Sequence, residues 1–505
     1  MTMENILPRS SPEAEGVSSK GILAFLEAVT ESVHDLHSFM LLRHGRVVAE
    51  GWWSPYAPDL PHMLFSLSKS FTSTAIGLVV AEGRLSLDDS IVSLLPEDCP
   101  KNVSEPLAAL RVRHLLTMTS GHDPETFGLM VSQPEGHWVK GFFNRPMIHR
   151  PGTHFAYDNC AAYMLSAVVQ QVTGMTMLDY LQQHLFKSLG INNATWTACP
   201  RGINIGFAGL SLTTEEVARF GQLHLQKGVW QGQQLLPVGW VEEATKRQVS
   251  NGNNPNVDEE QGYGYLFWRI RHGAYRGDGA FGQICEVWPK QDAVLAITAG
   301  KPGMEIIQDL VWEHVLPAMS TQALPEDTLA EQALNTKLTN LSIATVHGQS
   351  DSPVARQVSK QIFDLNYQGE ERLWFDFGNG RFGATFRSIS FDFGPDGCAC
   401  TIGDDRDVHE VVSGNGYWRR GVTTVSSQDG KSEQPVAASG AWTADDTYEM
   451  QWCFVETAFR ATLTCHFVED TITIDWEENA TFADQKHPQL RGQVMPNKAS
   501  TRRGE

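Results

Sequence analysis

The chain lacks several patterns that would assign it to a common class of protein. Its formal net charge is -20 at pH 7, so it has no basic excess with which to bind nucleic acid or an anionic membrane. It has no run of about 18 apolar residues, the length that crosses a bilayer. Its first residues show no basic segment followed by an apolar one, the pattern of a secretory signal. We therefore expect a cytoplasmic protein that has neither nucleic acid nor a membrane as a partner.

Cysteine is sparse and scattered. The 8 cysteines include no Cys-x-x-Cys pair, whereas zinc sites and disulfide frameworks both need clustered cysteines. The chain also lacks His-Glu-x-x-His, a Gly-x-Ser-x-Gly turn and a phosphate loop that ends in Gly-Lys-Ser/Thr. The sequence thus predicts no metal and no cofactor, and it counts against a metal-dependent hydrolase.

The composition is that of a folded protein with more than one domain. Of its 505 residues 41% are hydrophobic and 19% are charged, and this length exceeds what one hydrophobic core supports. Helical and strand-like patterns alternate in the first part of the chain, and aromatic-rich runs of period two follow. We predict a first domain at 1–320, a linker at 321–354, a β-rich accessory domain at 355–490 and a disordered tail at 491–505.

The first region predicts a mixed α/β layout with one non-local sheet. Residues 38–53 read as a hairpin, and three later runs, at 262–271, 273–289 and 292–300, read as strands. The segments between them have helical spacing, which makes them a helical insertion. We therefore predict an antiparallel sheet flanked by helices (α/β or α+β), followed by a C-terminal all-β, barrel-like domain.

The most informative stretch is LFSLSKSFTSTAIGLVV, residues 64–80. It is the only place where a serine precedes a lysine by three residues, here Ser66 and Lys69. On a helix these positions share a face, so the lysine amine can meet the serine hydroxyl. A serine is a poor nucleophile without an adjacent base, and a lysine whose pKa is lowered by burial can be that base. Taken alone, the pair is also compatible with an ordinary helix in which the spacing arose by chance.

Two further elements could complete such a site. Tyr157 and Asn159 form the only Tyr-x-Asn of the chain; a phenol can pass a proton, and an amide can orient a substrate. The run Gly277-Asp278-Gly279-Ala280 lies between strand-like segments, where small residues let a substrate backbone approach and an N–H group can stabilise an oxyanion. The alternative for Tyr157 and Asn159 is a loop tyrosine followed by a turn asparagine. The alternative for the glycine-rich run is a simple turn between strands.

In this order and spacing the three elements resemble the serine hydrolase family of class C β-lactamases, DD-peptidases and penicillin-binding-protein-like esterases. The resemblance extends over about residues 10–318 and includes RVRHLLTMTSGHD, PGTHFAYDNCAAYMLSAVVQQVTG and GAFGQICEVWPKQDAVLAITAG. It implies a β-lactamase/transpeptidase-like fold and an acyl-enzyme formed on Ser66. Lys69 and Tyr157 would then move protons, Asn159 would bind the substrate, and the N–H groups of Ser66 and a residue near Ala280 would form the oxyanion hole.

One departure from the family bears on the substrate. Its β-lactamases and DD-peptidases carry Lys-Thr-Gly or His-x-Gly on this strand, and the cation holds a substrate carboxylate. Here the corresponding segment is Arg276-Gly277-Asp278-Gly279, whose acidic residue disfavours an anion unless Arg276 faces the cleft. We expect an esterase, amidase or peptidase acting on a small neutral or cationic acyl substrate. The alternative is a penicillin-binding-like sensor module with little turnover; the sequence indicates no oligomeric state.

Overall fold

A computed structural model describes residues 7–32, 35–365, 373–376, 381–427, 430–482 and 485–495. It divides into two units. The first comprises Met1–Trp52, Pro58–Ala299 and Gly303–Asn340, and the second comprises Trp53–Ala57, Gly300–Pro302 and Leu341–Glu505. The division thus falls after residue 340, inside the segment for which the sequence predicts a linker.

The first unit contains most of the helices. They are α1 Ser19–Ser32, α2 Ser68–Ala81, α3 Ile91–Leu94, α4 Glu105–Ala108, α5 Val112–Leu116, α6 Phe127–Val131, α7 Trp138–Phe143, α8 Asn159–Thr173, α9 Met177–Leu181, α10 Lys187–Leu189, α11 Thr214–Leu225, α12 Trp240–Thr245, α13 Glu305–Leu310 and α14 Thr328–Thr339. Its strands are β1 Leu36–Arg43, β2 Arg46–Trp52, β3 His62–Met63, β4 Thr195–Trp196, β5 Leu210–Leu212, β6 Val229–Trp230, β7 Gln233–Gln234, β8 Trp268–Arg269, β9 Tyr275–Gly279, β10 Gln283–Trp288 and β11 Ala293–Ala299.

A six-stranded antiparallel sheet forms the centre of this unit, in the order β2-β1-β11-β10-β9-β8. All eight residues of β1 are buried, because helices cover both faces of the sheet. On one face α11 packs against β1, β10 and β11; on the other, Phe25 of α1 contacts Phe39 of β1 with ring centroids 5.4 Å apart. The predicted antiparallel sheet flanked by helices is confirmed.

The late strands differ in detail from the prediction. The run 273–289 is two strands, because Phe281 and Gly282 have φ angles of 66° and 94° and turn the chain between β9 and β10. A left-handed φ cannot continue a strand. Of the run 262–271, only Trp268–Arg269 is a strand. The sheet therefore takes four late strands rather than three.

The second unit is a closed barrel with one added strand, and its strands are antiparallel except at the pair that closes it. Its elements are α15 Ala355–Val358, β12 Ile362–Asp364, β13 Leu373–Asp376, β14 Arg381–Ala384, β15 Ser388–Gly394, β16 Gly397–Gly403, β17 Val408–Asn415, β18 Arg419–Thr423, β19 Gln434–Ala444, β20 Thr447–Cys453, β21 Arg460–Val468, β22 Thr471–Glu478 and β23 Leu490–Val494. Nine strands follow one another in the order β17-β16-β15-β12-β23-β22-β21-β20-β19, and a parallel pairing of β19 with β17 closes the ring.

The barrel confirms the predicted C-terminal all-β domain and corrects one boundary. Large aromatic side chains, among them Trp442, Tyr448 and Trp476, are buried in this unit. The segment 491–505 was expected to be a disordered tail, but its first residues belong to β23, which pairs with β22. The remainder of that prediction, from residue 496 onward, lies outside the described residues. None of the helices in the described ranges combines the length and apolar character that a bilayer crossing requires.

Candidate active site

Ser66 and Lys69 lie at the start of the buried helix α2. Ser66 is not on the helix itself, as its spacing suggests, but in a single 3-10 turn, Phe65–Leu67, that leads into α2 at Ser68. The turn passes into α2 at Leu67 and Ser68 with helical dihedral angles, so positions three residues apart still share a face and the two groups meet. Lys69 Nζ lies 2.8 Å from Ser66 Oγ. The pair predicted from the sequence is therefore in hydrogen-bonding contact.

The environment of Lys69 favours a neutral amine. The side chain is only 2% exposed, its Nζ donates to the Phe207 carbonyl over 3.0 Å, and it sits 4.7 Å from the centroid of the Tyr157 ring. Burial lowers the pKa of Lys69 from 10.5 to about 7, although the carboxylates of Asp278 and Asp158 act in the opposite direction. A substantial fraction of the amine is therefore unprotonated at neutral pH.

Tyr157 completes this group and keeps its proton. Its ring stacks on Trp268, with centroids 5.4 Å apart and planes at 18°, and meets Tyr263 edge-on at 6.4 Å. Burial raises the pKa of the Tyr157 phenol far above its usual range, and a hydrogen bond with the Ser66 hydroxyl lowers it only in part. The sequence offers two groups as bases. The lowered pKa of Lys69 and the raised pKa of Tyr157 favour Lys69 as the base and the Tyr157 phenol as a proton donor.

A buried ion pair fixes the turn that carries Tyr157 and Asn159. Asp158 caps the N-terminus of α8 by accepting from the Cys160 amide at 3.0 Å, and its other oxygen accepts from Arg145 at 2.8 Å. Both side chains are almost fully shielded from solvent. A buried pair holds its geometry because breaking it leaves an uncompensated charge. The sequence analysis missed Arg145, since nothing local marks a partner 13 residues away.

Asn159 is the first residue of α8. Its Oδ1 is shielded from solvent and accepts no hydrogen bond within the described ranges. Buried amide oxygens are normally paired, so an unpaired one next to Tyr157 marks a position where a ligand group could donate. The role of Asn159 in substrate binding stays a prediction.

Two glycines let β9 lie against the turn of Ser66. A Cβ on Gly277 would come within 2.4 Å of Ser70 Oγ, and one on Gly279 within 2.1 Å of the Leu64 carbonyl oxygen. Neither distance is physically possible without a shift of the backbone or of the helix. In the structure the two glycines admit the protein's own turn, and their role in the approach of a substrate stays a prediction.

Ser66 lies in the turn at this junction, and Ala280 directly follows β9. In the described part of the chain, neither residue's amide donates a hydrogen bond to a backbone carbonyl. Phe65 precedes Ser66 with φ 47°, Phe281 follows Ala280 with φ 66°, and their rings meet edge to face at 5.3 Å. Left-handed φ at non-glycine residues is costly and is concentrated at functional sites. The two turns are thus held together, and each leaves one N–H group available.

The charge of Asp278 acts on Lys69 and Tyr157, whereas Arg276 is held by other side chains. Arg276 is 1% exposed; its guanidinium donates to Asp278 at 2.6 Å, to Gln308 at 2.7 Å and to Glu259 at 2.5 Å. The Asp278 carboxylate raises the pKa of both Lys69 and Tyr157, which places its charge beside them. The sequence left the direction of Arg276 open, and the structure shows that its charge is used inside the protein.

The described residues contain no group of three or more His, Cys, Asp and Glu side chains arranged to hold a metal ion.

Sequence reasoning missed three neighbours of Lys69 and Tyr157: Phe207, Tyr263 and Trp268. No motif marks them, because they reach Lys69 and Tyr157 from distant parts of the chain.

Comparisons with known proteins find relatives that are named as hydrolases. The 6-aminohexanoate-dimer hydrolase of Paenarthrobacter ureafaciens is 24% identical over 284 residues, which are 52% of this chain and 72% of that protein. A lovastatin esterase of Penicillium rubens is 28% identical over 171 residues, 30% of this chain and 43% of the relative. A putative D-alanyl-D-alanine carboxypeptidase of Escherichia coli K12 is 25% identical over 140 residues, 26% of this chain and 32% of the relative.

Solved structures show the same fold. A putative 6-aminohexanoate-dimer hydrolase from Bacillus anthracis matches with a TM-score of 0.52 and 20% identity, over 63% of this chain and 89% of the other. A putative beta-lactamase from Bacteroides dorei matches with a TM-score of 0.50 and 17% identity, over 59% and 99%. The model of the beta-lactamase family matches residues 37–309. With more than half of its length matched in this way, the chain belongs to the beta-lactamase family.

Proposed function

We propose that this protein is a serine hydrolase that cleaves a small ester or amide through an acyl-enzyme on Ser66. The observation that carries the proposal is the 2.8 Å contact between Ser66 Oγ and the Nζ of a lysine whose pKa is lowered to about 7. The neutral amine has a lone pair with which to accept the serine proton. The N–H bond of Lys69 to the Phe207 carbonyl directs that lone pair toward Ser66.

Acylation follows from this arrangement. Ser66 Oγ forms a bond to the substrate carbonyl carbon while its proton passes to Lys69 Nζ, and the carbonyl oxygen becomes an oxyanion. The N–H groups of Ser66 and Ala280 would donate to that oxyanion. When the carbon–heteroatom bond breaks, the Tyr157 phenol donates a proton to the leaving alcohol or amine and is reprotonated by the Lys69 ammonium. Lys69 is then neutral again.

Deacylation uses the same groups in reverse. A water molecule gives its proton to Lys69 as its oxygen attacks the acyl carbon, and Ser66 Oγ recovers a proton as the ester bond breaks. The products are a carboxylic acid and a free enzyme. No step of this mechanism needs a metal or cofactor.

The substrate class follows from the charges around the pair. Arg276 is occupied by carboxylates and an amide, so no described cation at β9 is available to hold a substrate carboxylate. Penicillins and D-alanyl peptides carry such a carboxylate, so we expect them to be poor substrates. The relatives include proteins named as a dimer hydrolase and an esterase, which supports small amides and esters instead.

A mass measurement separates the hydrolase from the alternative, a binding module with little turnover. The intact protein is mixed briefly with an activated ester, p-nitrophenyl butanoate, and separately with a penicillin. We expect a transient butanoyl adduct together with release of p-nitrophenol over many turnovers. A long-lived adduct from the penicillin, with no turnover of the ester, would instead support the binding module.

The activity should depend on the protonation of Lys69. Because its pKa is lowered to about 7 and the neutral amine is the active form, kcat/KM for a neutral ester should rise about tenfold per pH unit below pH 7 and level off above it. The raised pKa of Tyr157 keeps the phenol protonated over this range, so no loss is expected up to about pH 9. Initial rates at low substrate concentration from about pH 5 to about pH 9 would show this limb. A flat profile would contradict a lysine base.

A further inference from the structure

We propose that Asp278 anchors a positively charged amine on the substrate, so that the enzyme selects acyl groups that carry an ammonium. This inference rests on the proposed hydrolase function and names the substrate class of the same site. It is carried by the position of the carboxylate, by an acceptor left without a partner, and by the neutralisation of the neighbouring arginine.

The position of Asp278 is that of a substrate anchor. It lies on β9, the strand that runs against the turn of Ser66, and it is one residue from both glycines of the close approach. Its charge acts on Lys69, which is hydrogen-bonded to Ser66, and on Tyr157 and Tyr263, whose rings meet each other edge-on. A group bound to Asp278 is therefore held within reach of the nucleophile.

One oxygen of Asp278 remains available. Oδ2 accepts from Arg276 Nε at 2.6 Å, while Oδ1 accepts no hydrogen bond from any residue in the described ranges. The side chain is 10% exposed, so this oxygen is neither sealed in the core nor fully hydrated. A carboxylate oxygen in such a position forms its strongest interaction with a charged donor.

Arg276 orients Asp278 without cancelling its charge. Besides Asp278, the guanidinium contacts Glu259 at 2.5 Å and lies 3.8 Å from Glu286, so a single cation faces three carboxyl groups. Burial raises the pKa of Glu286 to about 7. Even when Glu286 is protonated, the two carboxylates of Asp278 and Glu259 outweigh the one positive charge of Arg276, so the net charge of the group is negative. An approaching carboxylate is thus repelled, and an ammonium is attracted.

Aromatic rings lie next to β9, since Trp268 of β8 is paired with Arg276 of that strand. Tyr157, Tyr263 and Trp268 form a cluster in which the Tyr263 and Trp268 centroids lie 4.8 Å apart. Ring faces attract cations, and a carboxylate beside aromatic faces is a common way to bind an amine. Both parts of such a site are present around Asp278.

The test compares two p-nitrophenyl esters of equal length, those of β-alanine and of butanoic acid, which differ only in a terminal ammonium or methyl group. We expect the wild-type enzyme to favour the β-alanine ester in kcat/KM by about 10- to 100-fold, the range of one charge-assisted contact. Asp278→Asn should bring the ratio close to one. Because both esters use the same Ser66 and Lys69, the ratio is insensitive to any change in the pKa of Lys69.

Glu259→Gln is the matched control, because it removes the other short carboxylate contact of Arg276 but leaves Asp278 in place. Its ratio should fall below that of the wild type, since one carboxylate of the group is lost, but it should stay well above the ratio of Asp278→Asn. A wild-type ratio near or below one, or a preference that survives Asp278→Asn, would overturn the assignment while leaving the hydrolase intact. Failure of both esters to acylate Ser66 would overturn the proposed function and this inference with it.

Discussion

Ser66→Ala is expected to lower kcat/KM for an activated ester by at least about 10⁴-fold, the scale found when the nucleophile of a serine hydrolase is removed. The loss is this large because Lys69 and Tyr157 have no task without the hydroxyl to which both are hydrogen-bonded. The acyl adduct on the intact protein should disappear at the same time. Steady-state rates and intact mass measure the two effects on one sample.

A second serine of the same helix gives the control. Ser73 is buried in α2, and its hydroxyl has no hydrogen-bond partner in the described ranges. Replacing an unpaired buried hydroxyl by hydrogen is close to neutral or stabilising. Ser73→Ala should therefore keep both the activity and the adduct. If Ser66→Ala retained turnover with the adduct on another residue, Ser66 would not be the nucleophile.

Lys69→Met is expected to lower kcat/KM by about 10³-fold or more and at the same time to stabilise the fold. Methionine fills a similar volume but cannot accept the Ser66 proton. The wild-type lysine costs stability because its pKa in the folded state is lowered from 10.5 to about 7. Below pH 10.5 the unfolded chain binds a proton that the folded chain does not, so this cost grows as the pH falls to 7 and then stays constant.

The gain in stability should follow that pH dependence. At pH 7 the free energy of unfolding of the variant should exceed that of the wild type by about 2 kcal/mol. Removing the buried amine gains more free energy than the loss of its two hydrogen bonds costs. This difference in free energy of unfolding should shrink as the pH approaches 10. The contributions of the other titrating groups cancel in the difference, because both proteins contain them. Denaturant unfolding of the two proteins at several pH values measures it. A variant that is less stable at every pH would mean that Lys69 is a structural residue.

The sequence predicted those parts of the site that depend on local spacing. Ser66 and Lys69 are three residues apart and meet, and the charge at Asp278 is visible in its strand. Long-range partners were not predictable. The direction of Arg276 depends on Gln308 and Glu259, which approach from elsewhere in the chain, and hydrophobic periodicity carries no signal for such contacts.

The fold shows the same limit. Alternating apolar residues predicted the strands and the aromatic-rich barrel, since those patterns reflect burial directly. The turn at Phe281 was missed because a left-handed φ at an aromatic residue goes against its own preference and is imposed by packing against Phe65. The strand content of 490–494 was missed because the partner that stabilises it, β22, is not visible in that segment alone.

The pairing of β1 with β11 also has a consequence for the synthesis of the chain. Leu36–Arg43 leaves the ribosome long before its partner, Ala293–Ala299. At about 5–20 residues per second, the interval is roughly 13 to 50 s. Throughout that time, an apolar strand whose eight residues are all buried in the finished protein lacks one neighbour of its sheet. Until residue 293 has been made, β1 therefore has one unpaired edge, and a polypeptide released before that residue has no β11 with which to cover it.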